Sequence, residues 1–157
     1  FQDDPDEANY YHILFYQQLL GYRIDVRDDG SFDTITVATN ERANLDVNLL
    51  GDNIPYIEFL GGQSLLMKDK SFAGEEVNLT IEGNFNFNIE KHLPGTFSVE
   101  IRTVSEEYYL YYTTLVNQSQ SNPDLPGEHI SVFDNVENGN GIFAGYSSNT
   151  TNFSFGQ

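Results

Sequence analysis

The fold is decided by residues 96–118, TFSVEIRTVSEEYYLYYTTLVNQ, in which one hydrophobic period gives way to another. In the first half, apolar residues alternate with polar ones, which is the period of a half-buried strand. From Val104 onward they recur every three or four positions, which is the spacing of one helical stripe. Ser105 suits the N-cap, and the two glutamates after it suit the positive start of a helix. The sequence therefore predicts a strand followed by one helix near residues 105–118.

Short segments with strand character recur along the rest of the chain. The clearest is YRIDVR, where Tyr22, Ile24 and Val26 alternate with charged residues and are expected to be buried. Asp-Gly at residues 29–30 then predicts a hairpin, with the returning strand over residues 31–38. Further strands are predicted at residues 10–16, 45–50, 56–60, 77–81, 85–89, 130–133 and 142–146, and residues 65–67 form a brief apolar segment.

Short strands at regular spacing with a single helix favour a mainly β fold. We expect an antiparallel β-sandwich or partly open barrel with one α-helix near residues 105–118. The 157 residues suit one domain, which at this size can bury a sizeable core without disulfides or a structural metal. We therefore expect residues 1–157 to form a single β-rich domain.

The charge balance and the absence of cysteine exclude several functions. Seven Lys and Arg stand against 24 Asp and Glu, for a formal net charge of −17. Such a field repels phosphate backbones, so nucleic acid is not an expected partner. Without cysteine there are no thiolate zinc sites, iron–sulfur clusters, cysteine nucleophiles or disulfides. No apolar run approaches the length of about 18 residues that spans a membrane, so membrane attachment is expected only through a lipid anchor outside this chain.

Two groups of acidic residues offer the hard oxygen ligands that calcium prefers. The first consists of Asp3, Asp4, Asp6 and Glu7 in the acidic N-terminal segment. The second consists of Asp28, Asp29 and Asp33 at the predicted hairpin. Neither spacing matches a known calcium loop, so a solvated segment and a hairpin turn are the favoured interpretations. We expect no cofactor, with Ca²⁺ as the alternative.

No residue is predicted to be catalytic. His12, His92 and His129 are scattered, whereas a zinc site needs three or four convergent ligands. The nucleophile motifs Gly-x-Ser-x-Gly and Ser-x-x-Lys are absent from the sequence. The many acids leave a glycan-active hydrolase as an alternative, which predicts a cleft with two carboxyl groups about 5–10 Å apart. We expect the chain not to be an enzyme.

The tyrosines divide into a core set and a binding set. The core set lies on the helical stripe and consists of Tyr108, Tyr111 and Tyr112. The binding set is predicted to be exposed and to contact a partner, because tyrosine is enriched at interfaces. It consists of Tyr10, Tyr16, Tyr109 and Tyr146.

Three stretches of the chain resemble one protein family. The most specific is residues 133–146, FDNVENGNGIFAGY, with the pattern Asn-(Val or Ile)-x-x-Gly-x-Gly-(Ile or Val)-Phe. This run lacks the lysine of a phosphate loop, so its glycines indicate a tight turn. The other two are residues 4–11, DPDEANYY, and residues 67–79, which contain Asp-x-x-Phe-x-Gly. Together they resemble the C-terminal portion of a Bacteroidota family known as domain of unknown function 4249.

The resemblance implies an exported lipoprotein of the cell envelope, encoded near TonB-dependent outer-membrane transporters, of which this chain is the C-terminal part. It implies an outer-membrane or cell-surface location and no known catalysis. Asp33-Thr34-Ile35 is similar to the O-glycosylation sequon of that phylum, which makes Thr34 a candidate modification site. We expect a non-enzymatic module that binds a partner protein or nutrient near such a transporter. The alternatives are the hydrolase and a calcium-stabilised structural or adhesin-like module.

Overall fold

The computed structural model describes residues 8–43, 48–50, 56–59, 64–69, 80–82, 93–121 and 130–154. These residues contain eight strands and one helix. The elements are β1 (Tyr10–Val26), β2 (Phe32–Arg42), β3 (Asn48–Leu50), β4 (Tyr56–Phe59), β5 (Ser64–Lys68), β6 (Thr80–Glu82), β7 (Leu93–Val104), α1 (Glu106–Gln120) and β8 (Tyr146–Ser154).

The long strand β1 is the centre of an antiparallel sheet with the order β4-β5-β1-β7-β8. One edge of β1 pairs first with β5, over Tyr10–Leu14, and then with β2, over Tyr16–Val26. Its other edge pairs with β7 as far as Leu20, opposite Leu93. Strands β3 and β6 form a separate two-stranded sheet, and no described pairing closes the large sheet into a barrel. The predicted mainly β, antiparallel fold with one helix is confirmed, and its large sheet is open.

The first half of β1 is buried on both faces. Its odd-numbered residues Tyr11, Ile13 and Phe15 form one apolar cluster with Leu65 and Met67 of β5. The cluster also includes Ala43, and Phe97, Val99 and Ile101 of β7 pack against it. Because successive residues of a strand point to opposite sides, the even-numbered residues face the helix instead.

Helix α1 covers the even-numbered face of β1. Tyr10, Leu66, Val104 and Tyr108 form a second buried cluster there. Ser105 is the N-cap, and its hydroxyl accepts a hydrogen bond from the Tyr108 amide. The predicted helix near residues 105–118 is thus confirmed, and its buried residues Tyr108 and Val116 lie on the side that meets the sheet.

Two predicted strands near the C-terminus are wrong. Residues 130–136 and 142–145 are not strands, and the last strand is β8, which begins only at Tyr146. The Phe133 amide donates to the Thr114 hydroxyl of α1 at 2.8 Å instead of to a strand. The side chain of Asn135 likewise hydrogen-bonds to the backbone of Phe143, where a neighbouring strand would otherwise be the partner. Side chains therefore hold this segment where the sequence suggested backbone pairing. The strand predicted at residues 85–89 lies outside the described residues.

Candidate functional site

The distal half of β1 and the start of β2 form a two-stranded ribbon that leaves the sheet beyond Leu20. The predicted hairpin is confirmed, with Val26 opposite Phe32 and Gly30 at a φ of 82° in the turn. The expected burial of Tyr22, Ile24 and Val26 is wrong, because they are 62, 63 and 75% exposed. The reason is that β7 stops pairing with β1 at Leu20, so no third strand of the described residues lies beside the ribbon.

One side of this ribbon is apolar. In an antiparallel pair, residues directly opposite each other share a face. Phe32, which is 70% exposed, lies opposite Val26, and Thr34 and Thr36 lie opposite Ile24 and Tyr22. We call this surface the ribbon face. It consists of Tyr22, Ile24, Val26, Phe32, Thr34 and Thr36.

The reverse side of the ribbon is charged and internally paired. Arg23 forms an ion pair with Asp25 at 2.8 Å. Arg27 at the turn forms another with Asp33. Ile35 lies opposite Arg23 and is 39% exposed. These ion pairs are exposed to solvent, where each stabilises the fold by about 1 kcal/mol or less. They orient the charged side chains of the ribbon and add little stability.

The acidic residues at the hairpin stabilise the turn through hydrogen bonds and an ion pair. Asp29 Oδ1 accepts hydrogen bonds from the amide and the hydroxyl of Ser31, at 2.9 and 2.6 Å. The Ser31 hydroxyl lowers the pKa of Asp29. Asp33 is held by Arg27. In the part of the chain that the structure describes, no group of three or more histidine, aspartate or glutamate side chains is placed to hold a metal ion. The other predicted calcium ligands, Asp3, Asp4, Asp6 and Glu7, lie outside the described residues, as do His92 and His129.

The tyrosines of the predicted binding set do not gather into one patch. The predicted exposure of Tyr10 is wrong: it is 5% exposed, because its ring packs on Tyr109 at 4.7 Å and its hydroxyl donates to Glu106. Burial raises the pKa of Tyr10. Tyr16 and Tyr109 are half-buried. Only Tyr146, on β8, is largely exposed, and its ring stacks on the guanidinium of Arg102 at 4.5 Å.

Beneath α1 lies a polar contact inside the apolar layer. His12, which is buried, has its Nδ1 at 2.9 Å from the hydroxyl of Tyr108. Burial raises the pKa of Tyr108 to about 12, so the phenol stays neutral throughout the physiological range. His12 also lies beside Tyr112, with ring centroids 5.8 Å apart. His12 is therefore placed as a packed histidine that ties the sheet to the helix.

A half-buried ion pair lies next to this layer. Arg102 Nε donates to Glu100 Oε1 at 2.8 Å, and the Tyr16 hydroxyl donates to Glu100 Oε2 at 3.1 Å. The guanidinium of Arg102 lowers the pKa of Glu100, and Glu100 in turn raises the pKa of Arg102. The carboxylate is thus fixed in its ionised form, in which it accepts from two donors.

The glycine-containing motif of residues 135–143 is a loop closed by one side chain. Asn135 Nδ2 donates to the Phe143 carbonyl at 3.0 Å, and its Oδ1 accepts from the Phe143 amide at 2.7 Å. Between them, Asn138 has a φ of 58° and Gly141 a φ of 130°, a conformation that favours glycine. Phe143 is 88% exposed at the end of this loop. The loop therefore presents an aromatic ring from a fixed backbone.

The described residues define a mainly β domain in which one helix packs on an open antiparallel sheet. No helix among them is long and apolar enough to cross a membrane. The chain belongs to the family described as Domain of unknown function (DUF4249), whose profile matches residues 1–152. Comparison with curated proteins gave no match, and neither did comparison with solved structures.

The sequence did not point to the most exposed apolar residues. Alternation placed Tyr22, Ile24 and Val26 on one face correctly, but the same pattern suggested that this face was buried. A signal was available in the dense charges of residues 23–33, because a buried hairpin rarely carries so many. Phe143 belongs to the motif that carries the family resemblance. The spacing of that motif is explained by the hydrogen bonds between its two ends, Asn135 and Phe143.

Proposed function

We propose that this chain is a non-enzymatic binding module and that it docks a partner protein on the ribbon face. The observation that carries the proposal is the exposure of four large apolar side chains on one side of a projecting ribbon. Contiguous exposed apolar surface is uncommon on monomeric proteins and marks interaction sites. Tyrosine and phenylalanine are also the residue types that interfaces favour.

The energetics of such a surface favour association. Complete burial of one Val, Ile or Phe side chain stabilises by about 1.5–3 kcal/mol relative to leaving it in water. A two-stranded ribbon is only marginally stable on its own. A partner that covers its apolar side therefore buries apolar surface at little cost in lost packing. The ribbon is rooted in the buried half of β1, where Leu14 and Phe15 are fully covered. Because this buried part of β1 holds the ribbon in place, less conformational entropy is lost when a partner binds.

The partner that we propose is an outer-membrane transporter or another envelope protein. Membership of this family supports the proposal, because the resemblance implies an exported lipoprotein encoded near TonB-dependent transporters. The lipid would be carried by a segment outside this chain. Labelling cells with an alkyne-modified fatty acid, followed by membrane fractionation, tests this part. We expect the full-length gene product to carry the label in the outer membrane, and an unlabelled soluble product would contradict it.

The docking proposal is tested by a pair of double variants on opposite sides of one ribbon. Ile24→Thr with Phe32→Thr removes apolar surface from the ribbon face, whereas Ile35→Thr with Val37→Thr removes it from the reverse side. Each protein is immobilised and exposed to detergent-solubilised membranes from the source cells. We expect the wild type and the reverse-side variant to retain the same envelope protein and the ribbon-face variant to lose it. Equal retention by both variants would contradict docking on this face.

The predicted modification site lies on the same surface. Thr34 is exposed on β2 and lies directly opposite Ile24. A glycan on Thr34 would cover part of the ribbon face, so modified protein and docked partner should exclude each other. Intact mass measurement of protein purified from source cells, with and without Thr34→Val, tests for the modification. A hexose-containing mass increment that Thr34→Val abolishes is the expected result, and an unmodified wild-type mass would contradict it.

A further inference from the structure

A second surface of the sheet has a different chemistry from the ribbon face. Beyond the end of α1, an open groove of about 480 Å³ crosses the even-numbered side of β1. It is lined chiefly by Tyr16, Gln18, Asn40, Ser98, Thr150 and Asn152. We call it the amide groove. Its volume falls within the range of about 300–1,000 Å³ that is typical of ligand sites.

The lining of the groove is set by strand register. Tyr16 of β1 lies opposite Ser98 of β7, which in turn lies opposite Asn152 of β8. Gln18 lies opposite Asn40 of β2. Side chains from four adjacent strands therefore line the groove, and β1 and β7 shift register beside it, between Gln17 and Leu19.

The amide groove is neutral in a strongly acidic protein. The described side chains that line it carry no formal charge, although the chain has a net charge of −17. Glu100, which accepts a hydrogen bond from the Tyr16 hydroxyl, is neutralised by Arg102 at 2.8 Å. A bound anion would require cationic donors, and a bound cation would require carboxylates. Among the described residues the lining offers neither, so it suits a neutral ligand.

The polar groups of the groove are prearranged in pairs. Gln18 Nε2 donates to Asn40 Oδ1 at 3.2 Å, and the Ser98 hydroxyl donates to Asn152 Oδ1 at 2.7 Å. A carboxamide has two donor hydrogens and two acceptor lone pairs, so each pair retains hydrogen-bonding positions on both sides. Groups that both donate and accept match the hydroxyls of a sugar ring, which do the same.

Tyr16 adds a surface for the non-polar face of a sugar. Its hydroxyl donates to Glu100 at 3.1 Å, which fixes the orientation of a half-buried ring. An aromatic ring with an anchored polar end presents apolar area at low entropic cost. We propose that the amide groove binds a neutral oligosaccharide, with Tyr16 beneath a sugar ring and the Gln18–Asn40 and Ser98–Asn152 pairs at its hydroxyls. This site is independent of docking on the ribbon face.

The test uses two asparagines of one strand. Asn152 lies in the groove, whereas Asn149 lies on the opposite side of β8, opposite Ile101, and both are exposed. The chain is first applied to an array of neutral and acidic oligosaccharides. Isothermal titration with the best neutral glycan then compares the wild type with Asn152→Ala, Gln18→Ala and the control Asn149→Ala.

We expect binding to at least one neutral glycan, weakened about three- to tenfold by Asn152→Ala and by Gln18→Ala, the range expected for one lost hydrogen bond. Asn149→Ala should change the affinity less than about twofold. Three results would overturn the proposal: no neutral glycan bound, acidic glycans bound in preference, or equal weakening by Asn149→Ala and Asn152→Ala.

Discussion

The two halves of strand β1 differ in pattern and in surroundings: YYHILFY at the start is nearly continuously apolar, whereas YRIDVR at the end alternates apolar with charged residues. In the first half, Leu14 is fully buried between β5 and β7; in the second, Ile24 is 63% exposed. The difference is in the neighbouring strands: of those that the structure describes, β7 and β5 flank the first half, and β2 alone flanks the end of the second. Alternation tells which residues share a face, whereas the rest of the fold decides whether that face is covered.

The largest effect should come from shortening a side chain in the buried half. Phe15→Ala leaves a cavity beneath β5 and β7 and is expected to destabilise the fold by about 3–5 kcal/mol. The same truncation in the exposed half, Ile24→Ala, should change the free energy of unfolding by about 0.5 kcal/mol or less. Urea denaturation followed by tyrosine fluorescence measures both. Similar losses for the two variants would show that the ribbon is covered in solution.

A smaller effect should come from the ion pair beside the buried half. Glu100→Gln removes a carboxylate that accepts from Arg102 and Tyr16 and is expected to cost about 2 kcal/mol near neutral pH. Because the fold lowers the pKa of Glu100 from 4.5, its stabilisation is present above pH 4.5 and is lost as the pH falls through the lowered value. The gap between wild type and variant should therefore narrow below pH 4.5. A gap that is constant from pH 7 to pH 3 would contradict the assignment, and Asp25→Asn in the exposed ribbon is the matched control.

The loop that carries Phe143 is exposed like the ribbon but is held by side-chain hydrogen bonds. Asn135→Ala removes two of them and should cost about 1 kcal/mol locally. Hydrogen exchange at the Phe143 amide should become about five- to tenfold faster, while exchange in α1 stays unchanged. Unchanged protection of Phe143 would show that the Asn135 side chain does not close the loop. Asn140→Ala, at an exposed position of the same loop without a positive φ, controls for the loss of an asparagine.

The smallest effect on stability should come from the ribbon face itself. Ile24→Thr with Phe32→Thr should leave the midpoint of urea unfolding within the error of the wild type, because both side chains are largely exposed. The same substitutions should lower the protein's tendency to self-associate at high concentration, as measured by sedimentation velocity. A strongly destabilised variant would mean that the ribbon face packs against the chain itself.

The sequence predicted most of the fold because the deciding signals are local. The Asp-Gly turn, the alternation of residues 97–101 and the tyrosine stripe after Ser105 each depend on neighbours within a few positions. The hairpin, β7 and α1 were correctly predicted for that reason. The strands predicted at residues 130–133 and 142–146 were wrong because their apolar residues suggested backbone pairing, whereas the side chains of Thr114 and Asn135 hydrogen-bond to the backbone of Phe133 and Phe143.

The candidate surfaces could be predicted only in part. Burial of Tyr10 depends on Tyr109, which is 99 residues away along the chain, and no local pattern reports such a contact. The amide groove likewise unites residues of four strands whose register the sequence does not specify. Exposure of Tyr146 was predicted correctly, because the residues that follow it, 147–152, are all polar.

The central claim is that a partner covers the ribbon face, and site-specific photo-cross-linking in source cells tests it most directly. A photoreactive phenylalanine is placed at Ile24 on the ribbon face or at Ile35 on the reverse side, two exposed positions of one hairpin. We predict one discrete cross-linked envelope protein from position 24 and none from position 35. Cross-linking of equal strength from both positions, or from neither, would contradict the account.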